Sequence, residues 1–319
     1  MAAILGLTAP FFGLILLGYL CGRWGKRPEQ GLAWMQFFIV YVALPALFFK
    51  LVAATPIEKL TEWRFIAATT LSTLIVFCLA YAIARLLLSR AIPEATLQAI
   101  AGAYSNIGYM GPGLTVAALG AGASAPTALI FAFDNALLFT LAPLLMGIAG
   151  RGGTSATAMV LQIVKGVFTH PFIIATLIGV AAALVGFVVP GPIDTMLTWL
   201  KGAAAPCALF TMGVVIALRP ANGLVAEVPH LVLIKLVVHP LLVLVLLSTF
   251  GDFDPVWVQA AMLMAALPPA LNVFVIAQQY DVWVRQASSM VLIGTIVSVF
   301  TVTALLYGFA HGWVPADLW

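Results

Sequence analysis

Ten runs of about twenty apolar residues follow one another along this chain, and no link between them is long enough to fold by itself. One such run can sit in the core of a large soluble domain. Ten in series cannot, because a compact domain must cover itself with polar groups. Of the 319 residues, 63% are hydrophobic and 8% are charged. An average soluble domain carries roughly 25% charged residues, so too little polar surface remains here for a water-soluble fold. A bilayer acting as solvent resolves the conflict, and the runs read as membrane-spanning helices.

The expected spans are Ile4–Gly22, Gly31–Ala53, Phe65–Leu88, Leu97–Leu119, Pro126–Ala149, Val167–Val189, Ile193–Leu218, Leu231–Phe250, Val256–Ala277 and Gln286–Phe309. Met1–Gly6 contains no Lys or Arg, so the basic start of a cleaved signal peptide is missing. Cys21, Cys78 and Cys207 lie inside apolar runs without metal-ligand spacing and are expected to be buried and inert. The net charge is +3, and the basic residues are scattered between spans, which implies no nucleic-acid patch.

Basic residues set the orientation. With the N-terminus outside, inner loops collect Arg23, Lys26, Arg27, Arg85, Arg90, Arg151, Lys165, Arg219 and Arg285, nine in all. The outer side holds four, Lys50, Lys59, Arg64 and Lys201, together with Glu58, Glu62, Asp194, Asp252 and Asp254. Both termini are therefore expected outside. Trp24, Trp63, Trp199, Trp257, Trp283, Trp313 and Trp319 fall mostly near span ends, as interface anchors do.

The two halves resemble each other. Thr8-Ala9-Pro10-Phe11-Phe12 opens the first span and Thr169-His170-Pro171-Phe172-Ile173 the sixth, an offset of 169 minus 8, or 161. The same offset carries Gly18 onto Gly179, Pro45 onto Pro206 and Phe49 onto Phe210. Five spans per half is an odd number, so tandem copies insert with opposite topology. That is an inverted repeat, residues 1–150 and 160–319, with Pro45 and Pro206 as hinge or scaffold positions. Secondary transporters with this architecture bind substrate near the midplane, where helices of the two repeats break.

Two spans are broken in sequence. The fourth contains Ser105-Asn106-Ile107-Gly108-Tyr109-Met110-Gly111-Pro112-Gly113, and the ninth contains Leu267-Pro268-Pro269-Ala270-Leu271-Asn272-Val273. Glycine frees the backbone, while proline removes a donor and clashes with the preceding turn. Unwound backbone at membrane depth must line a wet cavity or be buried in protein. Half-helix N-termini there present amides and a positive dipole end, which suits an anion. Asn106 and Asn272 add neutral amide donors. The candidate substrate-binding set is Asn106, Gly108, Tyr109, Gly111, Pro112, Pro268, Pro269 and Asn272. The competing reading is that the kinks serve helix packing and the Asn side chains bridge helices.

Asp134, beside Asn135 in the fifth span, and Lys235, near His239-Pro240 in the eighth, are the ionisable residues at depth. Either coupling an ion or a structural role fits Asp134. Lys235 either snorkels to the inner surface, holds an anion, or pairs with Asp134. Tyr104, Tyr109 and Tyr280 are candidates to line the cavity.

At the broken spans the sequence resembles the auxin efflux carrier family. The residues that carry the resemblance are Asn106-Ile107-Gly108-Tyr109-Met110-Gly111, the run from Leu267 to Ala277 followed by Gln278-Gln279-Tyr280, and Leu44-Pro45. The likeness covers the whole chain. One departure is that Pro112 directly follows Gly111, where family members often place that proline one residue later. The resemblance implies an all-α polytopic fold of ten helices in a 5+5 inverted repeat, similar to bile acid:sodium symporters and sodium/proton antiporters. It implies a scaffold domain from helices 1, 2, 6 and 7 and a transport domain from helices 3–5 and 8–10, with helices 4 and 9 crossing at their breaks. It also implies an elevator-like movement, contact of Asn106 with a substrate carboxylate, and a homodimer in a bacterial inner membrane.

The expected function is secondary transport of a small organic anion, a mono- or dicarboxylate such as malonate or malate, with sodium, a proton or no ion coupled. Its partners are that anion, the coupling ion and membrane lipid. A cation/proton antiporter on the same fold is the alternative, although such chemistry usually needs more buried acids than Asp134. A membrane-embedded enzyme fits less well. There is no HExxH and no acidic pair within spans, and His170, His230, His239 and His311 are far apart. No metal or cofactor is expected.

Overall fold

Most of the described residues are helical. The computed structural model describes residues 2–25, 29–150, 161, 165, 169–218 and 226–319; among these the sole extended pairing is an isolated bridge between Ser105 and Pro269. Lys26, Arg27, Arg151 and Arg219, and the first residues of the sixth expected span, lie outside the described residues.

In chain order the helices are α1 (Ala2–Gly25), α2 (Gln30–Ala53), α3 (Trp63–Ala82, continued by a π turn, Ile83–Leu87), the half-helices α4a (Ile92–Ala103) and α4b (Gly111–Leu119), α5 (Ser124–Ile148), α6 (Pro171–Leu184), α7 (Gly191–Leu218), α8 (Val228–Phe250), the half-helices α9a (Pro255–Ala266) and α9b (Asn272–Tyr280), and α10 (Val284–Ala310). Helices α1, α2, α3, α5, α7, α8 and α10 are long and apolar enough to cross a membrane, which makes this an integral membrane protein. Helix α6 is shorter than the expected Val167–Val189. Gly186, at φ +61°, ends it: Phe187 N–H bonds Ala182 O and Gly186 N–H bonds Ala183 O, closing the last carbonyls.

The breaks follow the glycines and prolines. Each broken helix has a first half of 12 residues and a second half of 9. The second halves start at Gly111 and Asn272, 161 apart, but the first halves start at Ile92 and Pro255, 163 apart. The fourth-helix break is thus two residues longer. The two breaks pair with each other: Asn106 N–H donates to Pro268 O at 2.8 Å, and Ala270 N–H donates to Tyr104 O at 2.9 Å. These bonds satisfy backbone groups that no helix serves. Proline also shapes α2 and α8. A π turn, Ile39–Ala43, precedes Leu44-Pro45, and another, Ile234–Val238, precedes His239-Pro240. Widening the turn relieves the clash between a proline ring and the carbonyl before it.

Close helix pairs use glycine. Helix α1 packs along α7, and α2 along α6. A Cβ on Gly18 would strike the Phe210 carbonyl, and one on Gly213 would strike that of Ile15. A Cβ on Gly179 would lie 3.2 Å from Phe49 O. Small residues let backbones approach in lipid, where packing rather than water expulsion drives association.

Three expectations about single residues are corrected. Cys21 and Cys78 are exposed rather than buried, because the outside of a membrane helix is itself apolar; Cys207 is half-buried, and all three are free. Trp257 and Trp283 are buried rather than interfacial. Trp257 packs edge-on against Phe65 with centroids 4.8 Å apart, and Trp283 Nε1–H donates to Glu227 at 2.7 Å. Lys235 does not snorkel: it is 0% exposed.

Candidate functional site

Beside the paired breaks lies a cavity of about 470 Å³. Its polar lining comes from Tyr104, Ser105, Asn106 and Tyr109 at the first break, Asn272 at the second, Asn135 on α5, Gln279 and Tyr280 on α9b, and His170 just before α6. Among the described residues, no Asp, Glu, Lys or Arg lines it. A charge can enter such a cavity only against neutral dipoles, because desolvating an ion without compensation is costly.

Those dipoles are ordered. Asn272 Nδ2 donates to Tyr104 Oη at 2.9 Å, Tyr104 Oη donates to Asn135 Oδ1 at 2.5 Å, and Asn135 Nδ2 donates to Phe131 O at 2.7 Å. The thread ties the start of α9b to α4 and α5. Asn106 Nδ2 instead reaches Met212 Sδ on α7 at 3.3 Å. Neither α4b nor α9b has a side-chain cap on its N-terminus. Uncapped helix starts carry partial positive charge.

Of the eight residues expected to bind substrate, Asn106, Gly108, Tyr109 and Asn272 line the cavity. Gly111, Pro112, Pro268 and Pro269 do not; they lie in or beside the paired breaks. Gly111 is there for space, since a Cβ would meet Met264 Sδ at 2.6 Å. Pro269 needs the bare backbone of Gly294 on α10, where a Cβ would lie 2.5 Å from the proline Cδ. Pro45 falls early in the helix that follows the π turn of α2, and Pro206 lies within α7; neither lines the cavity.

Asp134 and Lys235 sit outside the cavity lining, joined by a buried polar relay. Thr73 Oγ1 donates to Asp134 Oδ2 at 2.8 Å and lies 3.3 Å from His239 Nε2. His239 Nδ1 lies 3.4 Å from Lys235 Nζ, which donates to Ala265 O. That carbonyl, in the last turn of α9a, also accepts from Ser105 Oγ at 3.3 Å. The relay therefore ends at the paired breaks. Asp134 Oδ1 is buried without a hydrogen-bond partner among the described residues. No group of three His, Cys, Asp or Glu residues able to hold a metal occurs among the described residues.

Sequence reasoning missed Thr73, Met212, Gly294 and the cavity position of His170. Thr73, Met212 and Gly294 carry no local signal. His170-Pro171 had one, a histidine opening a helix inside an apolar run, which served only as a marker of the repeat.

A family profile described as "Membrane transport protein" matches residues 3–306. A Rhizobium meliloti (strain 1021) protein named "Putative malonate transporter" is 52% identical over 318 residues, covering 100% of this chain and 99% of its own length. An "Uncharacterized transporter" of Methanothermobacter thermautotrophicus is 26% identical, covering 90% of this chain and 92% of its own. The Escherichia coli (strain K12) "Uncharacterized transporter YfdV" is 22% identical, covering 95% and 96%.

Proposed function

The chain belongs to the membrane transport protein family that includes the auxin efflux carriers, and on that premise we propose that it is a secondary carrier of small carboxylates, malonate or a close analogue among them. The observation that carries this reading is the cavity itself. It adjoins two broken helices, is lined by amides and hydroxyls, and contains no carboxylate that would repel an anion. The malonate named for the Rhizobium meliloti relative suits such a lining.

The movement we propose is an elevator shift of α3–α5 with α8–α10 against α1, α2, α6 and α7. The extensively packed pairs α1 with α7, α2 with α6 and α7, α3 with α4a and α3 with α8 fall within these two sets. An inverted repeat of ten spans is supported by equal half-helix lengths and by the reciprocal bonds between the breaks. Gly18 packing on Phe210 and Gly179 on Phe49 is the same exchange in the scaffold.

Both termini are proposed outside, in a bacterial inner membrane. Among the described residues, polar contacts near span ends fit that assignment: Lys50 pairs with Asp194 at 2.6 Å on the outer side, and Arg90 and Trp283 both meet Glu227 on the inner. A cysteine added at either end should react with an impermeant maleimide on intact cells; reaction only after lysis overturns the orientation.

Uptake of labelled malonate into proteoliposomes tests the function. A hydrogen bond to a charged group contributes about 1.5–3 kcal/mol. Asn106→Ala and Asn272→Ala should therefore each weaken apparent affinity by roughly tenfold to a hundredfold. Parental uptake by both variants would remove the site. A second reading, cation/proton antiport, draws on buried Asp134 with its unpartnered Oδ1. Transport driven by a sodium or proton gradient with no anion dependence would favour it.

A further inference from the structure

We propose that His170 selects dicarboxylates over monocarboxylates by facing the second carboxylate across the cavity from the crossing; the inference rests on the carboxylate-carrier reading above. Among the described residues, His170 is the only one lining the cavity that can carry positive charge. It enters from the start of α6, whereas the amides of Asn106 and Asn272 come from the broken helices. Its ring packs against Phe172 and Phe139, with centroids 4.5 and 5.3 Å away. Phe139 also meets the Tyr104 ring edge-on at 6.1 Å, so a single phenyl ring separates His170 from the tyrosine that Asn272 holds. Neither ring nitrogen has a hydrogen-bond partner among the described residues.

Charge requires a group of this kind. Neutral amides and a helix start can stabilise one carboxylate. A second carboxylate, taken into a cavity whose other polar groups are neutral and which Phe131, Phe139, Phe172 and Ile276 partly wall, needs a counter-charge. The other charged groups on the elements that pack against α6 do not supply one. Lys50 is paired with Asp194, Glu58 and Lys59 lie in the outer link, and Asp134 is held by Thr73; none of them lines the cavity. The arriving carboxylate favours the imidazolium form, so a proton is taken up at His170 with the dianion.

The test compares labelled malonate with malonamate, in which one carboxylate is replaced by an amide of similar size. Parental protein should prefer malonate, with affinity falling as pH rises and the imidazole, whose charged form burial already disfavours, discharges. His170→Gln should lose at least tenfold in malonate affinity and its pH dependence, while malonamate uptake stays at the parental level and reports an intact fold. If both substrates weaken together, or neither changes, His170 is a packing residue and the proposal falls. If parental protein takes up neither, the carrier reading itself fails, and this inference with it.

Discussion

Lys235→Met is expected to abolish transport and to lower the protein's apparent melting temperature in detergent. Methionine fills nearly the same volume, so the change removes charge rather than packing. Lys235 is fully buried, and its ammonium is linked through His239 and Thr73 to Asp134, the other ionisable group of the relay. Removing one partner of a buried pair leaves an uncompensated charge and costs about 3–5 kcal/mol. It also takes the donor from Ala265 O, near the negative end of α9a, where a cation is favoured. Because Ser105 of the other break bonds the same carbonyl, the crossing loosens as well. Combining Lys235→Met with Asp134→Asn should recover much of the lost stability, since the pair is then removed together. A Lys235→Met protein that melts and transports like the parent would show that the charge does no work there.

Gly294→Leu is expected to eliminate uptake by forcing the crossing apart. A Cβ alone at this position would lie 2.5 Å from Pro269 Cδ and 2.7 Å from Cγ. Pro269 is the residue bridged to Ser105, and its neighbours Pro268 and Ala270 carry the two bonds between the breaks. A leucine has no room unless that pairing opens, and overpacking of this kind costs about 1–3 kcal/mol or more. Gly13→Leu is the control, because nothing lies within 4 Å of its Cβ position on α1. Equal uptake by the two variants would mean that the crossing tolerates displacement.

The helices were legible because the period of membrane crossing is written in apolar length. Most span ends fall within a few residues of the helix ends, and both breaks lie where glycine and proline interrupt the runs. What could not be read is which face each residue presents. Lys235 looked able to reach the inner surface because distance along a helix can be counted, but its direction toward Ala265 depends on a π turn and on a neighbouring helix. Trp283 follows the same logic: its sequence place is interfacial, yet a left-handed backbone at φ +55° turns it inward to Glu227. Four of the eight expected site residues lie in or beside the paired breaks without lining the cavity. Sequence marks where a helix must break, whereas the side of the break that faces the opening is set by its partner.

The uncharged lining of the cavity also decides how such a carrier responds to voltage. Asp134 and Lys235 belong to one relay, and as an ionised pair their charges cancel as they move together. The net charge crossing with a cargo is then that of the cargo, less any proton bound with it. An elementary charge moved through 100 mV is worth about 2.3 kcal/mol. An inside-negative potential therefore opposes entry of a net anion by that amount and favours its exit. On the proposed carrier reading, cations brought in with the carboxylate, charge for charge, would cancel that opposition, while the membrane potential itself drives outward passage.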